Sequence, residues 1–477
     1  MDEIYLHSLE SIPLEEIVKE EYRIYQIYTL MDRAIPYLED GLKPCQRRIL
    51  YTLWRNSSKG LVKVSAATGL VLTLHPHGPA SIESSIVNLA QDFAFSNNYP
   101  LIDKKGYFGE RMETTPAAGR YIECKLGKVA DILLFDDMNQ VKLVPNYDEK
   151  VMEPLSLLPK LPIMLLNGAE GIGTGFSSVI PSFNHKDVIN SMINCIETGK
   201  PKKIKPFVRY YDGPMEMDST GRIVFNAVFE EKQGKIFITE VPRGYDAAKI
   251  YRWLSKYMES DYLKDFVDSS VDNEINIELI FKKGKTPSLE EVRETMKCQS
   301  SQVSNYTLIS ERGVKVLNNA EEIIEIFSAR RLEVVKRRYE LLAIDAEGRI
   351  NQNNEIIRFI KQRHYAQAEK ENNRKSFVDY LKKNKFQFSD YLADMAIYRM
   401  TKEEVSKRKL LVEEDTKKLA EYKKIAKSPV LVKSKLIEEL RDVDSKLTEL
   451  FKQIEAEKKR LADKTNKMQT KKSKRKK

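Results

Sequence analysis

The sequence is poor in cysteine, and its cysteines are too far apart to form a recognisable site. The 477 residues include four, Cys45, Cys124, Cys195 and Cys298, without a Cys-x-x-Cys pair. Neither a zinc site nor a disulfide framework is indicated by this spacing. We therefore predict free thiols in a protein that works in a reducing interior.

Long apolar runs are also missing. No stretch approaches the roughly 20 apolar residues that a membrane-spanning helix needs. The first residues lack the charged and then apolar pattern of a secretion signal. The sequence therefore predicts a protein that neither crosses nor enters a membrane.

Recognisable metal ligands are scarce. His75 and His77 are close together, but no third histidine, cysteine or carboxylate cluster accompanies them, so zinc is not expected. Contact with a phosphate or a structural cap is the better interpretation of this pair. The clear Asp-x-Asp pattern, 442–444, lies in a helical repeat and is typical of a charged helix face. We expect no metal site on this chain.

A nucleotide-binding motif is also missing. Residues 283–286, Lys-Gly-Lys-Thr, resemble the end of an ATP-binding phosphate loop. Leu279 stands where the first glycine of that loop is needed, and Pro287 follows the motif. We therefore predict that this chain has no ATP site.

Charge is abundant, with 80 Lys and Arg against 70 Asp and Glu, a net charge of +10. A local excess of positive charge favours a polyanionic partner. The alternative is a highly charged surface that serves only solubility. The length suits about three domains of ordinary size.

Four cations near the N-terminus fall within residues 33–48, namely Arg33, Lys43, Arg47 and Arg48. Against a duplex they would neutralise phosphates and supply affinity that does not depend on sequence. An ordinary solvated face is an equal alternative from this segment alone.

Helical spacing of apolar residues predicts short helices over 64–74 and from Pro79 to Phe93. Together with the preceding helix, which carries Ile49 and Leu53, they suggest a helix-turn-helix. The helix from Pro79 would present small polar groups suited to a phosphate backbone, namely Ser81, Ser84, Ser85 and Asn88.

One tyrosine, Tyr121, directly follows an arginine at the end of a run of small residues, 114–119. A phenol has a pKa near ~10, so it is a weak nucleophile at neutral pH. A nearby cation can stabilise the phenolate as it forms, and Arg120 could be that cation. The chain has 23 tyrosines, and a half-buried ring with a solvated neighbour is the alternative for each. The surrounding motifs decide between the two.

Six short motifs occur in one order between residues 40 and 175: Asp-Gly-Leu-Lys-Pro followed by Arg-Arg, His-Pro-His-Gly, Gly-x-Phe-Gly, Ala-Ala-x-Arg-Tyr, Pro-Asn-Tyr-Asp and Asn-Gly-x-x-Gly-Ile-x-x-Gly. In this order they resemble the breakage-reunion subunit of type IIA DNA topoisomerases. The similarity continues more faintly to about residue 460. In size the chain is most similar to the medium subunit of the split enzyme of T-even-type phages.

The resemblance implies that Tyr121 is the nucleophile that forms a 5′-phosphotyrosyl bond, and that Arg120 steadies the charge on the reacting phosphate. It also implies a set of residues that hold the scissile strand, namely Arg33, Lys43, Arg47, Arg48, His75 and His77. Preplaced cations and donors do lower a phosphoryl transition state. The chain departs from the family pattern at Leu74 and Ile122, so the roles of those neighbours are not carried over.

A glycine-rich loop at 168–175 follows an apolar segment that we interpret as a strand beginning near Pro162. Residues 177–181 read as extended, so no helix follows the loop and a dinucleotide site is rejected. The resemblance implies that Ile172 wedges between base pairs and bends the duplex. A core isoleucine at a strand end is the alternative.

The predicted fold class is α+β and largely helical. The resemblance implies an N-terminal helix and winged-helix (helix-turn-helix) DNA-cleavage domain over 1–165 and an α/β tower domain over 166–320. A long antiparallel coiled-coil arm follows over 321–462, with a dimerising globular knob at about 365–405. Residues 463–477 are basic and of low complexity, and we expect a disordered tail there.

The implied partners are double-stranded DNA, a second copy of the chain joined through the knob, and a separate subunit. That subunit would carry the ATPase domain, which uses ATP, and a TOPRIM domain whose acidic cluster holds Mg²⁺. The expected location is the cytoplasm of a bacterium or a phage-infected cell, with a nuclear location as the alternative because of the basic tail.

The expected function is DNA cleavage and religation in an ATP-hydrolysing type II topoisomerase. A non-catalytic architectural DNA-binding protein of the same fold is the alternative. A tyrosine recombinase is not favoured because none of the five histidines belongs to a His-x-x-Arg motif. Gyrase-type subunits continue beyond the arm into a DNA-wrapping domain, whereas 15 residues follow Ala462 here. We therefore expect relaxation and unlinking of DNA rather than supercoiling.

Overall fold

The computed structural model describes residues 21–218, 221–282, 287–311 and 313–474, together with Glu15 and Lys19, and only the backbone of 461–474. The motif at 283–286 lies outside the described residues. The chain forms two compact units: the first contains residues up to Ala329 and from Glu439, and the second contains Arg330–Glu438.

The helices of the first unit are mostly short. Those described are α1 (Glu21–Thr29), α2 (Pro44–Arg55), α3 (Val64–Val71), α4 (Pro79–Ala90), α5 (Lys128–Leu134), α6 (Ile163–Leu166), α7 (His185–Thr198), α8 (Ala247–Glu259) and α9 (Leu289–Thr295). A short π-helical segment, Leu30–Ala34, continues directly from α1. Two long helices, α10 (Ala320–Lys361) and α14 (Pro429–Lys474), each contain residues of both units.

The predicted helix-turn-helix is present. Helices α2, α3 and α4 pack against one another beside a three-stranded antiparallel sheet of β1 (Val62–Lys63), β3 (Glu123–Leu126) and β2 (Ile102–Lys105) in that order. Helix α4 begins with Pro79 in its first turn, where the missing N–H costs nothing. Its residues Ile82, Ile86 and Leu89 recur at helical spacing and are buried. The opposite face of α4 is therefore left to polar side chains.

A second region of the first unit is built on a four-stranded antiparallel sheet in the order β10 (Val228–Lys232), β11 (Lys235–Glu240), β13 (Ile277–Phe281), β12 (Leu263–Asp268). Along β11, Ile236 and Ile238 point to one buried face, as strand alternation requires. Helix α8 packs on that face through Ile250 and Leu254. This region is an α+β module, in agreement with the predicted fold class.

The remaining strands form small antiparallel pairings. They are β4 (Leu143–Pro145) with β5 (Met152–Pro154), β6 (Ala169–Ile172) with β7 (Ser177–Ile180), β8 (Met215–Met217) and β14 (Gln299–Gln302) on either side of β9 (Ile223–Asn226), and β15 (Tyr306–Ser310) with β16 (Gly313–Leu317). In the hairpin of β6 and β7, Gly171 pairs with Ser178 and Ile172 pairs with Ser177.

The strand predicted after Pro162 is wrong. Ile163–Leu166 forms one buried helical turn instead, with Pro162 as its N-terminal cap residue. A run of four apolar residues has no period that separates a strand from a buried helical turn. The extended segment predicted at 177–181 is confirmed as β7, Ser177–Ile180.

The second unit is dominated by two antiparallel helices, α10 and α13 (Lys402–Lys427). Arg349 binds Asp415 through an Nη2–Oδ1 contact of 2.8 Å. Nearer the far end of α10, Arg408 Nη1 donates to Asn353 Oδ1 over 2.7 Å. Going from Arg349 to Asn353 along α10, the contacting residue on α13 changes from Asp415 back to Arg408. The two helices therefore run in opposite directions.

A globular group lies between these helices in the sequence. It contains α11 (Arg374–Lys383) and α12 (Ser389–Ala393). Its own core includes Phe359, Phe377, Phe386 and Leu392. Ile397 is 85% exposed and Tyr398 is 74% exposed, so this group carries apolar side chains on its surface.

The backbone of α14 continues to Lys474, where the low-complexity sequence predicts a disordered tail. Residues 461–474 contain neither glycine nor proline, and extending an existing helix costs far less than starting one. Among the described residues, no helix is long and apolar enough to cross a membrane.

Candidate active site

Tyr121 stands on a turn between β2 and β3 with its ring in solvent. The residue is 67% exposed, and the guanidinium carbon of Arg120 lies 4.7 Å from the centre of its ring. The backbone N–H of Tyr121 donates to the carbonyl of Ala118 over 2.8 Å, which closes the turn. The phenol oxygen is therefore free to meet a partner, with a cation already over the ring.

The outward direction of Tyr121 follows from its neighbours. Ile122 is 1% exposed, and its carbonyl accepts a hydrogen bond from the N–H of Val64 at the start of α3. Val62 pairs with Cys124 in the adjoining sheet. Because Ile122 and Cys124 point inward at the start of this strand, Tyr121 must point outward.

The segment before Tyr121 is anchored by Arg111. This arginine is 5% exposed, and its guanidinium donates to the carbonyls of Val241, Pro242 and Tyr245. Burial lowers the pKa of Arg111. Met112 continues the anchor because it belongs to the core under the four-stranded sheet. One end of the tyrosine segment is thus fixed to the α+β module.

A second group of predicted residues gathers around Arg48. Its Nε and Nη2 donate to the two carboxylate oxygens of Glu153, over 2.7 Å and 2.9 Å. Its Nη1 lies 2.8 Å from Nδ1 of His75 and 3.8 Å from Oδ1 of Asp32. The fork geometry fixes the guanidinium plane and leaves its charge partly neutralised by carboxylate.

His75 is neutral in this arrangement. A guanidinium can only donate, so Nδ1 of His75 accepts from Arg48 and the ring proton sits on Nε2. Burial, followed by the positive charge of Arg48, lowers the pKa of His75 to about 4. At neutral pH the ring can therefore offer an N–H donor but carries no charge.

Arg33 and His77 complete this group. Arg33 is exposed, and its charge contributes to lowering the pKa of His75. His77 is half-buried, with Nε2 3.7 Å from Oδ2 of Asp32, and its ring meets that of His75 edge-on at 4.7 Å. The structure thus brings four of the predicted strand-holding residues together, namely Arg33, Arg48, His75 and His77.

Lys43 lies at the N-terminal cap position of α2, where its backbone N–H donates to Oε1 of Gln46 over 3.0 Å. Its side chain is half-buried, and burial lowers its pKa. An anion next to Lys43 would stabilise its charged form and so offset the cost of burying the ammonium group.

Arg47 requires a correction. The family resemblance implies that it holds the scissile strand, but it is 4% exposed. Its Nε donates to Oδ2 of Asp40 over 2.6 Å, its Nη2 donates to the carbonyl of Leu42 over 3.3 Å, and its guanidinium carbon lies 4.6 Å from the centre of the Tyr37 ring. These partners use the guanidinium inside the protein, so we assign Arg47 to holding the turn before α2.

Ile172 is 89% exposed at the end of β6, so the alternative of a core isoleucine is excluded. The hairpin behind it packs closely on the π-helical segment. A Cβ on Gly171 would lie 2.0 Å from the carbonyl oxygen of Ala34, and one on Gly173 would lie 2.3 Å from Cδ2 of Leu30. The glycines let the hairpin rest on this segment while the isoleucine projects into solvent. Its insertion between base pairs stays a prediction.

Two functional candidates could not be found from sequence patterns. Glu153, which holds Arg48, is 105 positions away along the chain, and no local pattern marks it. Glu83, on the otherwise small and polar face of α4, accepts a hydrogen bond from the N–H of Gly119 over 2.9 Å. Glu83 could have been noticed in the sequence, because it is an acidic residue on a helix face that is expected to meet phosphates.

No group of three or more histidine, cysteine, aspartate or glutamate side chains within the described part of the chain could hold a metal ion. None of the four cysteines, all of which lie within the described residues, forms a disulfide.

Comparisons with known proteins agree on one family. The sequence profile of the DNA gyrase/topoisomerase IV A-subunit matches residues 33–441. The DNA gyrase A-subunit of Brachyspira hyodysenteriae is 28% identical over 491 residues, covering 94% of this chain and 57% of that protein. The DNA topoisomerase 4 A-subunit of Salmonella typhimurium is 30% identical over 358 residues, covering 69% of this chain and 47% of that protein.

A eukaryotic relative and a solved structure extend the similarity. The mitochondrial DNA topoisomerase 2 of Dictyostelium discoideum is 31% identical over 370 residues, covering 74% of this chain and 28% of that protein. The DNA-binding, cleavage and re-ligation domain of Plasmodium falciparum topoisomerase II has the same fold, with a TM-score of 0.79 at 23% identity over 92% of this chain and 65% of that one. The chain thus spans about half or less of the length of several relatives that it matches.

Proposed function

The chain belongs to the DNA gyrase/topoisomerase IV A-subunit family, and from this premise we propose that it cleaves and religates DNA within a type IIA topoisomerase. The observation that carries the proposal is the exposed phenol of Tyr121 with the Arg120 guanidinium over its ring. Exposure is required because the nucleophile must meet a phosphate in the backbone of a bulky duplex.

The proposed reaction exchanges one phosphodiester for another. The phenol oxygen of Tyr121 attacks phosphorus, the bond from phosphorus to the 3′ oxygen breaks, and a 5′-phosphotyrosyl bond forms. The phenol proton leaves for solvent or a base, and the departing 3′ oxygen takes up a proton. Arg120 stabilises the negative charge that develops during the exchange. The reverse reaction reseals the strand without any other source of energy.

The group around Arg48 is proposed to hold the strand. Arg33 and Lys43 supply charge, and neutral His75 supplies an N–H donor. Arg48 would exchange or share its carboxylate partner Glu153 with a phosphate. The exposed Ile172 on its glycine-backed hairpin is proposed to insert between base pairs and bend the duplex.

The rest of the enzyme is proposed to lie on other chains. A separate subunit would hold Mg²⁺ in its TOPRIM domain and hydrolyse ATP, as the family resemblance implies. A second copy of this chain would meet the first through the globular group between α10 and α13. The exposed Ile397 and Tyr398 support this role because apolar surface of that kind is typical of an interface.

The decisive experiment is Tyr121→Phe in the complex of the full chain with the subunit that copurifies from its native source. Wild-type protein should become covalently attached to an end-labelled duplex when the reaction is stopped with denaturant, and the variant should not. Because the phenylalanine ring fills the same space, DNA binding should be unchanged. Adducts at wild-type level in the variant would exclude Tyr121 as the nucleophile.

Arg120→Ala should slow adduct formation by about 10²- to 10³-fold, the usual cost of one lost transition-state donor.

A wild-type complex that binds DNA without ever forming an adduct would favour the architectural alternative. The expected lack of supercoiling activity is tested on relaxed plasmid with ATP, which should stay relaxed. Accumulation of negatively supercoiled plasmid would show a gyrase-type activity instead.

A further inference from the structure

The turn that carries the nucleophile is held to the helices beside it at Gly119, two residues before Tyr121. The N–H of Gly119 donates to Oε1 of Glu83 over 2.9 Å, and its carbonyl accepts from the N–H of Ser65 over 3.3 Å. Lys63 adds a further contact, with Nζ donating to the carbonyl of Tyr121 over 3.3 Å. Both polar backbone groups of Gly119 are thus used by α3 and α4.

Glu83 lies on the helix expected to follow the DNA backbone. It is half-buried in the middle of α4, between the exposed Ser81 and Ser84. A carboxylate on this face repels phosphates, so it is an unfavourable choice for binding alone. Its position next to Gly119 supplies a different reason for its presence.

The fit between the two residues leaves no room for a side chain. A Cβ on Gly119 would lie 2.2 Å from Oε1 and 2.6 Å from the carboxyl carbon of Glu83. A side chain at position 119 would therefore displace the Glu83 carboxylate from the Gly119 N–H. A charged acceptor for a backbone N–H is also stronger than a neutral one.

We propose that Glu83 is a positioning residue for the reaction of Tyr121. Its carboxylate fixes the Gly119 N–H to α4 and thereby sets the height of the tyrosine above the helix expected to follow the DNA. A movement of the duplex against α4 is then transmitted to the nucleophile through this hydrogen bond, beside the contacts from Ser65 and Lys63. The inference rests on the proposed function because it assumes that Tyr121 reacts with DNA.

Three variants of the full chain, in complex with its copurified partner, test this role. Glu83→Ala removes the acceptor, Glu83→Gln keeps an amide oxygen that can accept from Gly119, and Glu290→Ala changes an exposed glutamate on α9 as a matched control. The measurements are the rate of denaturant-trapped adduct formation on an end-labelled duplex and the affinity for the same duplex.

Glu83→Ala should form adducts about tenfold to a hundredfold more slowly, corresponding to the loss of one hydrogen bond to a charged group. Its affinity for the duplex should be equal to or above that of the wild type, since a repulsive charge is gone. Glu83→Gln should recover most of the rate, and Glu290→Ala should behave as the wild type. Equal rates for Glu83→Ala and the wild type, or equal slowing in both Glu83 variants, would overturn the proposal.

Amide hydrogen exchange of the free chain tests the contact without any reaction. The N–H of Gly119 should exchange faster in Glu83→Ala than in the wild type and should stay protected in Glu83→Gln. Unchanged exchange in Glu83→Ala would exclude the contact itself. If the wild type forms no adduct, the proposed function fails, and the exchange measurement still decides whether Glu83 holds the turn.

Discussion

Replacing His75 by asparagine tests whether the buried ring beside Arg48 is neutral. The amide oxygen of asparagine can take the place of Nδ1 as acceptor for Arg48, and the side chain does not titrate. His75 is 3% exposed, and burial together with the charge of Arg48 lowers its pKa to about 4. In the unfolded chain its pKa returns to about 6.5.

The sign of the effect follows from these two values. A histidine whose pKa is lower in the folded state contributes stability above the unfolded pKa, and this contribution is lost as the pH falls toward the folded pKa. The free energy of unfolding should fall by about 2 kcal/mol at pH 5 and by about 3 kcal/mol at pH 4 through this one group.

Chemical denaturation of the wild type and of His75→Asn between pH 7.5 and pH 5 measures the effect as a difference. At pH 7.5 both side chains are uncharged, so the difference there reports only packing and serves as the internal reference. Burial also lowers the pKa of His185 to about 4, but that residue is present in both proteins and cancels. A difference in unfolding free energy that stays constant down to pH 5 would refute the neutral, desolvated ring.

Four further substitutions test single positions described above. Gly171→Ala places a Cβ against the carbonyl oxygen of Ala34 and should lower the free energy of unfolding by about 1–3 kcal/mol. Ile172→Ala should change that free energy by less than about 0.5 kcal/mol. It should, however, reduce duplex bending measured by fluorescence energy transfer. Asp40→Ala leaves the buried guanidinium of Arg47 unpaired and should cost about 3–5 kcal/mol, seen as a large fall in Tm; an unchanged Tm would contradict the assigned pair. Ile397→Asp tests the proposed self-association: it should convert the proposed dimer to monomer in analytical ultracentrifugation without lowering Tm, and a dimer as strong as that of the wild type would place the interface elsewhere.

The helix-turn-helix was predictable because its signals are local. Pro79 starts α4, and Ile82, Ile86 and Leu89 recur at the period of a helix. This prediction is confirmed.

The sequence could not predict that Arg47 is buried in an internal ion pair while Arg48 lies in the proposed strand-holding group. The two are adjacent and chemically identical, and both fall in the motif that carries the family resemblance. Arg47 points inward because its guanidinium pairs with the buried carboxylate of Asp40. Asp40 lies on a turn that Gly41 makes possible with a φ of +72°. Arg48 meets Glu153, which is distant in sequence. Sequence spacing does not report which of two neighbouring cations finds a buried partner.

The turn at Ile163–Leu166 and the contact between Glu83 and Gly119 were missed for related reasons. Four buried apolar residues fit a strand and a helical turn equally well. The partners Glu83 and Gly119 lie 36 positions apart, and only the folded chain brings them together. The exposure of Tyr121 also depended on the fold, through the buried Ile122 beside it.

The burial of Arg47 also limits how strongly salt should weaken DNA binding. Each phosphate that a protein cation neutralises releases counterions, and log K falls against log salt with a slope of about −0.9 per contact. Four freely available N-terminal cations would give a slope of about −3.6. Arg47 is used inside the protein, and Arg48 only trades one carboxylate for a phosphate, so Arg33 and Lys43 are left to contribute about −1.8. DNA bound to these N-terminal residues would release fewer counterions than four free cations imply, so its binding would depend less on the ionic strength of the medium.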